Sequence, residues 1–122
     1  MLRGDRVLLR AVERDDLKTL NKLAQENIDL VLMSDGDWEP EPLAAREKWF
    51  DKGLEGHEER SWFVIEVDGV IIGSCGLHHS HRRDSSTQFG IAIHHPDYVG
   101  KGYGPDAIRV LLRWGFTIQN WR

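Results

Sequence analysis

Three glycines within five positions separate an apolar run from an amphipathic run in the last third of this chain. Gly100, Gly102 and Gly104 alternate with Lys101 and Tyr103, inside the stretch HHPDYVGKGYGPDAIRVLL. Glycine permits positive φ and lets backbone N–H groups approach a ligand without a Cβ in the way. Several such groups before a helix form an anion site that the helix dipole reinforces. The segment therefore predicts a strand, a turn with room for a phosphate and a helix. A tight strand-to-helix connection without a ligand is the alternative.

The rest of the chain predicts an α+β fold in the order β-α-α-β-β-β-α. The predicted strands are 6–10, 61–67, 70–77 and 87–93, and the predicted helices are 15–28, 42–54 and 105–116. Asp15 is the predicted N-cap of the first helix. Asp68-Gly69 predicts a two-residue hairpin, because both turn positions favour positive φ. Gly90 predicts a bulge or a close backbone approach. We expect an antiparallel meander that leads into the last helix, with a polar loop at 33–42 and a polar turn at 78–86.

Composition narrows the class of protein. The chain has 122 residues, which predicts a single domain. It lacks an apolar stretch of about 20 residues, so no membrane span is expected. Its one cysteine, Cys75, excludes an internal disulfide and favours a reducing cytoplasm. A net charge of −4 argues against general nucleic-acid binding.

Two common phosphate-binding motifs do not fit the glycine segment. No Gly-Lys-Ser/Thr triplet follows the glycines, so a P-loop is excluded. A dinucleotide fingerprint needs a βαβ unit in a parallel sheet, whereas the preceding strands here predict antiparallel hairpins.

The segment FGIAIHHPDYVGKGYGPDAIRVLLRWGFTIQN resembles the acyl-CoA-binding motif of the GCN5-related N-acetyltransferases (GNAT). That motif joins a strand to a helix through a Gln/Arg-x-x-Gly-x-Gly/Ala loop, and its glycines match Gly102 and Gly104. The stretches LLRAVERDDL and FVIEVDGVIIGSCGL resemble the family at matching places in the order. GFTIQN, HRRD and Glu39-Pro40 resemble the branch that includes spermidine and ribosomal-protein N-acetyltransferases.

The resemblance implies a site for acetyl-CoA on this segment. The implied diphosphate-binding residues are Val99, Gly100, Lys101, Gly102, Tyr103, Gly104 and Pro105, and the implied partners of the pantetheine arm are Ile91, Ala92 and Ile93. Lys101 and Arg109 are candidate charged donors to phosphate oxygens, with solvent exposure as the alternative. Val99 departs from the usual Gln or Arg, and Pro105 supplies no N–H. Both departures are expected to weaken cofactor binding without abolishing it.

The implied reaction is attack of a primary amine on an acetyl thioester, which requires removal of a proton from the amine. Polyamine-acetylating relatives often have a Glu where Gln88 stands, and a neutral amide orients water but accepts no proton. Glu66 is the second catalytic candidate, with an ion-paired strand residue as the alternative. The backbone at 89–91 is the implied oxyanion donor. Four histidines at strand ends titrate near neutral pH but are more often simply exposed there: His78, His79, His94 and His95. No metal site is predicted.

The acceptor is expected to be an amine. Trp38, Glu39 and Glu41 lie with Asp35 and Asp37 in the loop where this family usually binds its substrate. Carboxylates beside an aromatic face suit a cation. A polyamine, an aminoglycoside-like amine and a protein N-terminus all fit, and a solvated acidic loop is the alternative.

The family fold continues through another strand, a helix and a closing hairpin. The resemblance therefore implies that residues 1–122 are one GNAT domain without that C-terminal portion, and that alone they acetylate no amine at a useful rate. An exposed strand edge favours pairing with another copy, so a homodimer formed by strand exchange is expected. Two other functions stay open: a non-catalytic module that binds coenzyme A, and a dimerisation module.

Overall fold

An antiparallel sheet organises the computed structural model, which describes residues 1–54, 60–79 and 87–115. In this part of the chain the strands are β1 (Leu2–Arg3), β2 (Leu8–Ala11), β3 (Arg60–Val67), β4 (Val70–His79) and β5 (Thr87–Ile93). The helices are α1 (Asp16–Glu26), α2 (Ile28–Asp35), α3 (Leu43–Leu54) and α4 (Tyr103–Arg113), with a 3₁₀ turn at Pro96–Tyr98. The sheet order is β1-β2-β3-β4-β5, so each strand pairs with its neighbour in sequence. The predicted α+β order is confirmed, with β1 and α2 as additions.

The hairpin between β3 and β4 is the predicted one. Asp68 has φ 50° and Gly69 has φ 80°, so both turn residues are left-handed. Val67 and Val70 face each other across the turn.

The prediction at Gly90 is wrong on both counts. The register of β4 and β5 runs through Gly76 opposite Gly90 without a shift, and a Cβ on Gly90 would meet nothing within 4 Å. The shift lies on β3, between Ile65 and Glu66. The close approach is at Gly73, where a Cβ would lie 2.0 Å from the Ala92 carbonyl oxygen.

The helix predicted over 15–28 is α1, which ends at Glu26, and an unpredicted second helix, α2, begins at Ile28. Asn27 leaves the helical region, with φ −123° and ψ 63°, and its side-chain amide donates to the Leu23 carbonyl at 2.8 Å. The chain then re-enters a helix, and α2 ends at Gly36, which has φ 77°. The start of the predicted loop at 33–42 is therefore helical. A residue that can bond its own backbone offers an alternative to the helix ladder, which explains the break.

At the start of α1, Asp16 rather than Asp15 forms the side-chain hydrogen bonds. Asp15 occupies the N-cap position but forms no side-chain capping bond. The Asp16 carboxylate instead accepts from the Glu13 N–H at 2.7 Å and pairs with Arg10 at 2.7 Å. The hydrogen bond from Arg10 lowers the pKa of Asp16.

Helices cover both faces of the sheet. On one face α4 packs against the strands, and the buried core there is Val7, Leu9, Ile65, Val67, Ile72, Cys75, Leu77, Ala107, Val110 and Leu111. On the other face α1 and α3 cover a smaller core of Val12, Leu17, Leu20 and Val64, with Leu43 and Phe50 packed beside it. In the described ranges, no helix combines the length and the apolar character that a membrane crossing needs. The predicted turn at 78–86 from residue 80 onward, and Phe116 of the last predicted helix, lie outside the described residues.

Candidate functional site

The glycine loop, residues 99–105, turns at two left-handed residues and then enters α4. Gly100 has φ 74° and Gly102 has φ 87°. Gly102 is the N-cap, and its carbonyl accepts from the Asp106 N–H at 3.3 Å. The N–H groups of Tyr103 and Gly104 come before that bond, in the turn whose amides lack a helical acceptor. The helix thus begins two residues earlier than predicted, and its first amides belong to the loop.

The start of α4 rests on the end of β5. A Cβ on Gly104 would lie 3.6 Å from Ile93 Cδ1 and 3.9 Å from Ile91 Cδ1. Within the described part of the chain β5 pairs only with β4, so it is the edge strand of the sheet. The strand edge at 91–93 and the glycine loop are therefore neighbours.

Asp106, in the first turn of α4, fixes the N-terminal segment beside the loop. Its buried carboxylate accepts from the N–H groups of Asp5 at 3.1 Å, Arg6 at 2.9 Å and Val7 at 3.0 Å. Burial raises the pKa of Asp106, but the three amide bonds and nearby Arg109 outweigh burial and leave that pKa below its ordinary value. The charged carboxylate is therefore the form that the fold selects.

The two predicted charged donors differ in their surroundings. Lys101 is exposed within the loop. Arg109 donates from Nη2 to the Asp106 carboxylate at 2.8 Å and lies 3.5 Å from the Asp5 carboxylate. Arg109 therefore stabilises the Asp106 carboxylate, and its guanidinium is directed toward two carboxylates.

The two catalytic candidates are far apart. Gln88 is opposite His78, and His78 is opposite Arg60, whereas Glu66 is opposite Ile71. Glu66 lies six positions after Arg60 along β3, which is about 20 Å at strand rise. Glu66 lies 3.3 Å from Arg10 and shares it with Asp16. The ion-paired alternative for Glu66 is thus the observed arrangement, and Gln88 and Glu66 cannot act on the same atom.

An acidic cavity lies between α1, α2, the loop at 36–42 and the end of β5. Its volume is about 490 Å³, and its lining residues include Asp35, Asp37, Trp38, Glu39, Glu41, Arg46 and His94. The three predicted acceptor residues therefore share one cavity. Four carboxylate residues face one arginine there, so the cavity is net negative.

The predicted acceptor loop is held in place by α1. The Trp38 indole N–H donates to the Ala24 carbonyl at 3.1 Å. Gln25 bonds the backbone at two points, donating to the Glu39 carbonyl at 3.3 Å and accepting from the Glu41 N–H at 3.1 Å. Among the described residues, Arg46 pairs with the Glu41 carboxylate, at 2.8 Å. These bonds leave the Glu39 carboxylate exposed at the cavity.

His94 connects β5 to this cavity. Its backbone N–H donates to the Ile72 carbonyl at 3.1 Å, directly after the last residue of β5. Its ring Nε2 lies 3.1 Å from Ser34 Oγ on α2. Burial lowers the pKa of His94, with Asp35 raising that pKa and Arg46 lowering it. The surroundings of the ring therefore favour its neutral form.

The family described as the acetyltransferase (GNAT) domain matches residues 6–122. The chain belongs to this family. Spermidine N(1)-acetyltransferase of Escherichia coli (strain K12) is 35% identical over 120 residues, which cover 93% of this chain and 59% of that protein. The GNAT domain described here therefore spans about three fifths of the length of the curated relatives that it matches.

Solved structures agree with the fold of this GNAT domain. A spermidine N-acetyltransferase from Vibrio cholerae, in complex with CoA and spermine, superposes with a TM-score of 0.79 at 28% identity. The superposition covers 97% of this chain and 68% of that one. A GNAT-family acetyltransferase from Bacillus anthracis superposes with a TM-score of 0.74 at 19% identity, covering 98% and 69%, which supports the fold alone.

The sequence did not predict the surroundings of three residues of this GNAT domain. Asp106 resembles an ordinary acidic residue in a first helical turn, and only the fold brings residues 5–7 to it. Arg46 was a residue on the surface of a predicted helix. His94 was considered as a titratable residue at a strand end, with simple exposure as the alternative, but its place in the lining of the acidic cavity was not predicted.

Proposed function

We propose that this GNAT domain binds acetyl-CoA and directs its acetyl group to a primary amine. The observation that carries the proposal is the glycine loop, where two left-handed glycines lead directly into the first turn of α4, whose amides lack a helical acceptor. Such amides hold phosphate oxygens, and the helix dipole favours the negative charge. The Vibrio cholerae relative was solved with CoA.

The residues present fit a diphosphate and its pantetheine arm. The amides of Val99, Gly100, Lys101, Gly102, Tyr103 and Gly104 would hold the diphosphate, while Pro105 shapes the turn without donating. A Cβ on Gly100 would meet nothing within 4 Å, so the loop is open on that side. The edge backbone of Ile91, Ala92 and Ile93 would pair with the arm. The bound cofactor would supply an acetyl thioester open to attack by an amine.

The groups of this chain that we propose to act on the reacting atoms lie toward the start of β5. Gln88 would orient a water that takes the proton of the amine, since its neutral side chain cannot take that proton. Backbone N–H groups at 89–91 would donate to the developing oxyanion. We assign Glu66 to the ion pair with Arg10.

The acceptor site that we propose is the acidic cavity, which would hold the charged tail of an extended amine while its reacting nitrogen lies further along β5 toward Gln88. Its four carboxylates, of which Glu41 alone is ion-paired within the described part of the chain, and the Trp38 ring suit an amine with more than one positive charge. Relatives of this domain are named spermidine N-acetyltransferases. A polyamine therefore fits this cavity better than a peptide N-terminus, which brings a single charge.

Amide NMR tests the cofactor site directly. Titration of the 122-residue chain with CoA is expected to shift the amide signals of the glycine loop and of 91–93, while those of α3 stay in place. Bound CoA should also raise the melting temperature, because a ligand that binds only the folded state stabilises it. If the loop signals do not move at saturating CoA, the proposal is wrong.

A non-catalytic module that binds coenzyme A is the second candidate, and Gln88 is the observation in its favour. Acetyl transfer to spermidine, spermine, an aminoglycoside and a short peptide separates the two functions. Binding of CoA without transfer to any of these amines supports the second.

A further inference from the structure

Arg6, which belongs to the turn between β1 and β2, lies on the glycine loop. Its Nη2 donates to the Lys101 carbonyl, and its guanidinium carbon is 4.4 Å from the centre of the Tyr103 ring. A Cβ on Gly102 would lie 2.6 Å from Nη2. The guanidinium therefore occupies the side of Gly102 where another residue would carry its side chain.

The backbone of Arg6 is fixed independently of its side chain. Asp106 accepts from the Arg6 N–H at 2.9 Å and from the N–H groups on either side of it. A Cβ on Gly4 would lie 2.7 Å from both Asp106 carboxylate oxygens, so only glycine allows this approach. The turn is thus held at a set distance from the start of α4.

The charge of Arg6 is not neutralised locally. Across the described residues no carboxylate forms an ion pair with Arg6, whereas the nearby Asp106 carboxylate is paired with Arg109. One bond to Lys101 uses a single N–H of a group that has five. The exposed guanidinium keeps further donors at the Lys101 carbonyl and the Tyr103 ring, on the glycine loop itself.

We propose that Arg6 is a cofactor-binding residue, whose guanidinium donates to the diphosphate of coenzyme A at the glycine loop. This inference rests on the proposed function, which puts the diphosphate there. An arginine is suited to the role because its planar fork matches phosphate oxygens and its charge strengthens each hydrogen bond. Contact with the Tyr103 ring and the Lys101 carbonyl orders the side chain before the cofactor arrives, which lowers the entropic cost of binding.

The experiment measures CoA affinity by titration calorimetry for wild type, Arg6→Gln, Arg6→Lys and a matched control, Arg3→Gln. The control removes the same charge from an exposed arginine of the same segment. We expect Arg6→Gln to weaken CoA binding about tenfold and Arg6→Lys about threefold. Arg3→Gln should change the affinity less than about twofold. Added salt should narrow the gap between wild type and Arg6→Gln, because screening weakens an exposed charge.

Dephospho-CoA, which lacks the 3′-phosphate but keeps the diphosphate, identifies the phosphate concerned. If Arg6→Gln loses the same factor of affinity for CoA and for dephospho-CoA, the result supports the proposal. A loss confined to CoA would assign Arg6 to the 3′-phosphate and overturn it. Unchanged affinity of Arg6→Gln, with wild type binding CoA, overturns this inference alone. Absence of binding by wild type overturns the proposed function and the inference with it. Amide spectra of the variants, unchanged over α4, confirm that each one folds.

Discussion

At the scale of single residues, one carboxylate organises the start of α4. Asp106 accepts from three consecutive backbone N–H groups and from Arg109, so four donors satisfy one buried charge. A buried charge is tolerated when hydrogen bonds replace its lost water. The same residue holds the turn that carries Arg6 and begins the helix behind the glycine loop. Asp106 therefore contributes both to the stability of the fold and to the arrangement of the glycine loop through the same hydrogen bonds.

Asp106→Asn is expected to lower the free energy of unfolding by about 2 kcal/mol at pH 7, because hydrogen bonds to a charged acceptor are lost. The folded-state pKa of Asp106 is lowered. Its stabilisation is thus complete above the ordinary pKa of about 3.9 and disappears as pH falls through the lower, folded value. Urea unfolding at pH 7, 5 and 3 should show the difference between wild type and variant shrinking only at the lowest pH. Asp97→Asn, at an exposed carboxylate, should change little.

Two substitutions in the lining of the acidic cavity should change the affinity for spermidine in opposite directions. Glu39→Gln removes an exposed carboxylate from the lining and should weaken spermidine binding about threefold to fivefold at low salt. Arg46→Gln removes the arginine from the same lining and should strengthen binding by a similar factor. Titration calorimetry with spermidine measures both, and Glu26→Gln, an exposed carboxylate outside the lining, is the control. If neither variant differs from the control, the loop is only a solvated acidic surface.

At the scale of elements, β4 owes its position to glycines. A Cβ on Gly73 would lie 2.0 Å from the Ala92 carbonyl oxygen, and one on Gly76 would lie 2.3 Å from the Ser61 carbonyl oxygen. Both contacts are with backbone, which cannot rotate away as a side chain can. The close approach of β5 to β4 at Gly73, and of β3 to β4 at Gly76, therefore depends on residues that carry no side chain.

Gly73→Ala should destabilise the fold by more than about 3 kcal/mol, since the strands must separate to relieve the overlap. Gly90→Ala, on the facing strand, enters open space and should change the free energy of unfolding by less than about 1 kcal/mol. Chemical denaturation of the two variants makes the comparison. Similar losses at the two positions would contradict the register of β4 and β5.

The elements that could be predicted from the sequence are those that a few neighbouring residues determine. The Asp68-Gly69 turn and the strands around it were predicted because turn chemistry and β-branched runs act over a few residues. The break at Asn27 was missed, because a single side chain bonded to its own helix decided it. The role of Gly73 was missed because the clashing atom, the Ala92 carbonyl oxygen, is distant in sequence. Arg6, Asp106 and His94 required the same knowledge of distant neighbours.

At the scale of the whole molecule, β5 joins the two proposed sites. Its edge at 91–93 adjoins the glycine loop, and His94, the next residue, lines the acidic cavity. The cofactor arm and the acceptor would therefore approach the same strand. An edge strand also offers its backbone groups to another copy of the chain.

These two uses of the β5 edge exclude each other, since one row of backbone groups cannot pair twice. If the chain self-associates through β5, CoA must shift the equilibrium toward the monomer by mass action. Sedimentation of the chain should then show a mass that rises with concentration and falls toward 14.1 kDa when CoA is added. Adenosine 3′,5′-bisphosphate, which has no pantetheine arm, should leave the association intact. A monomer at every concentration would contradict pairing at this edge, and a dimer that persists with CoA bound would place the interface elsewhere.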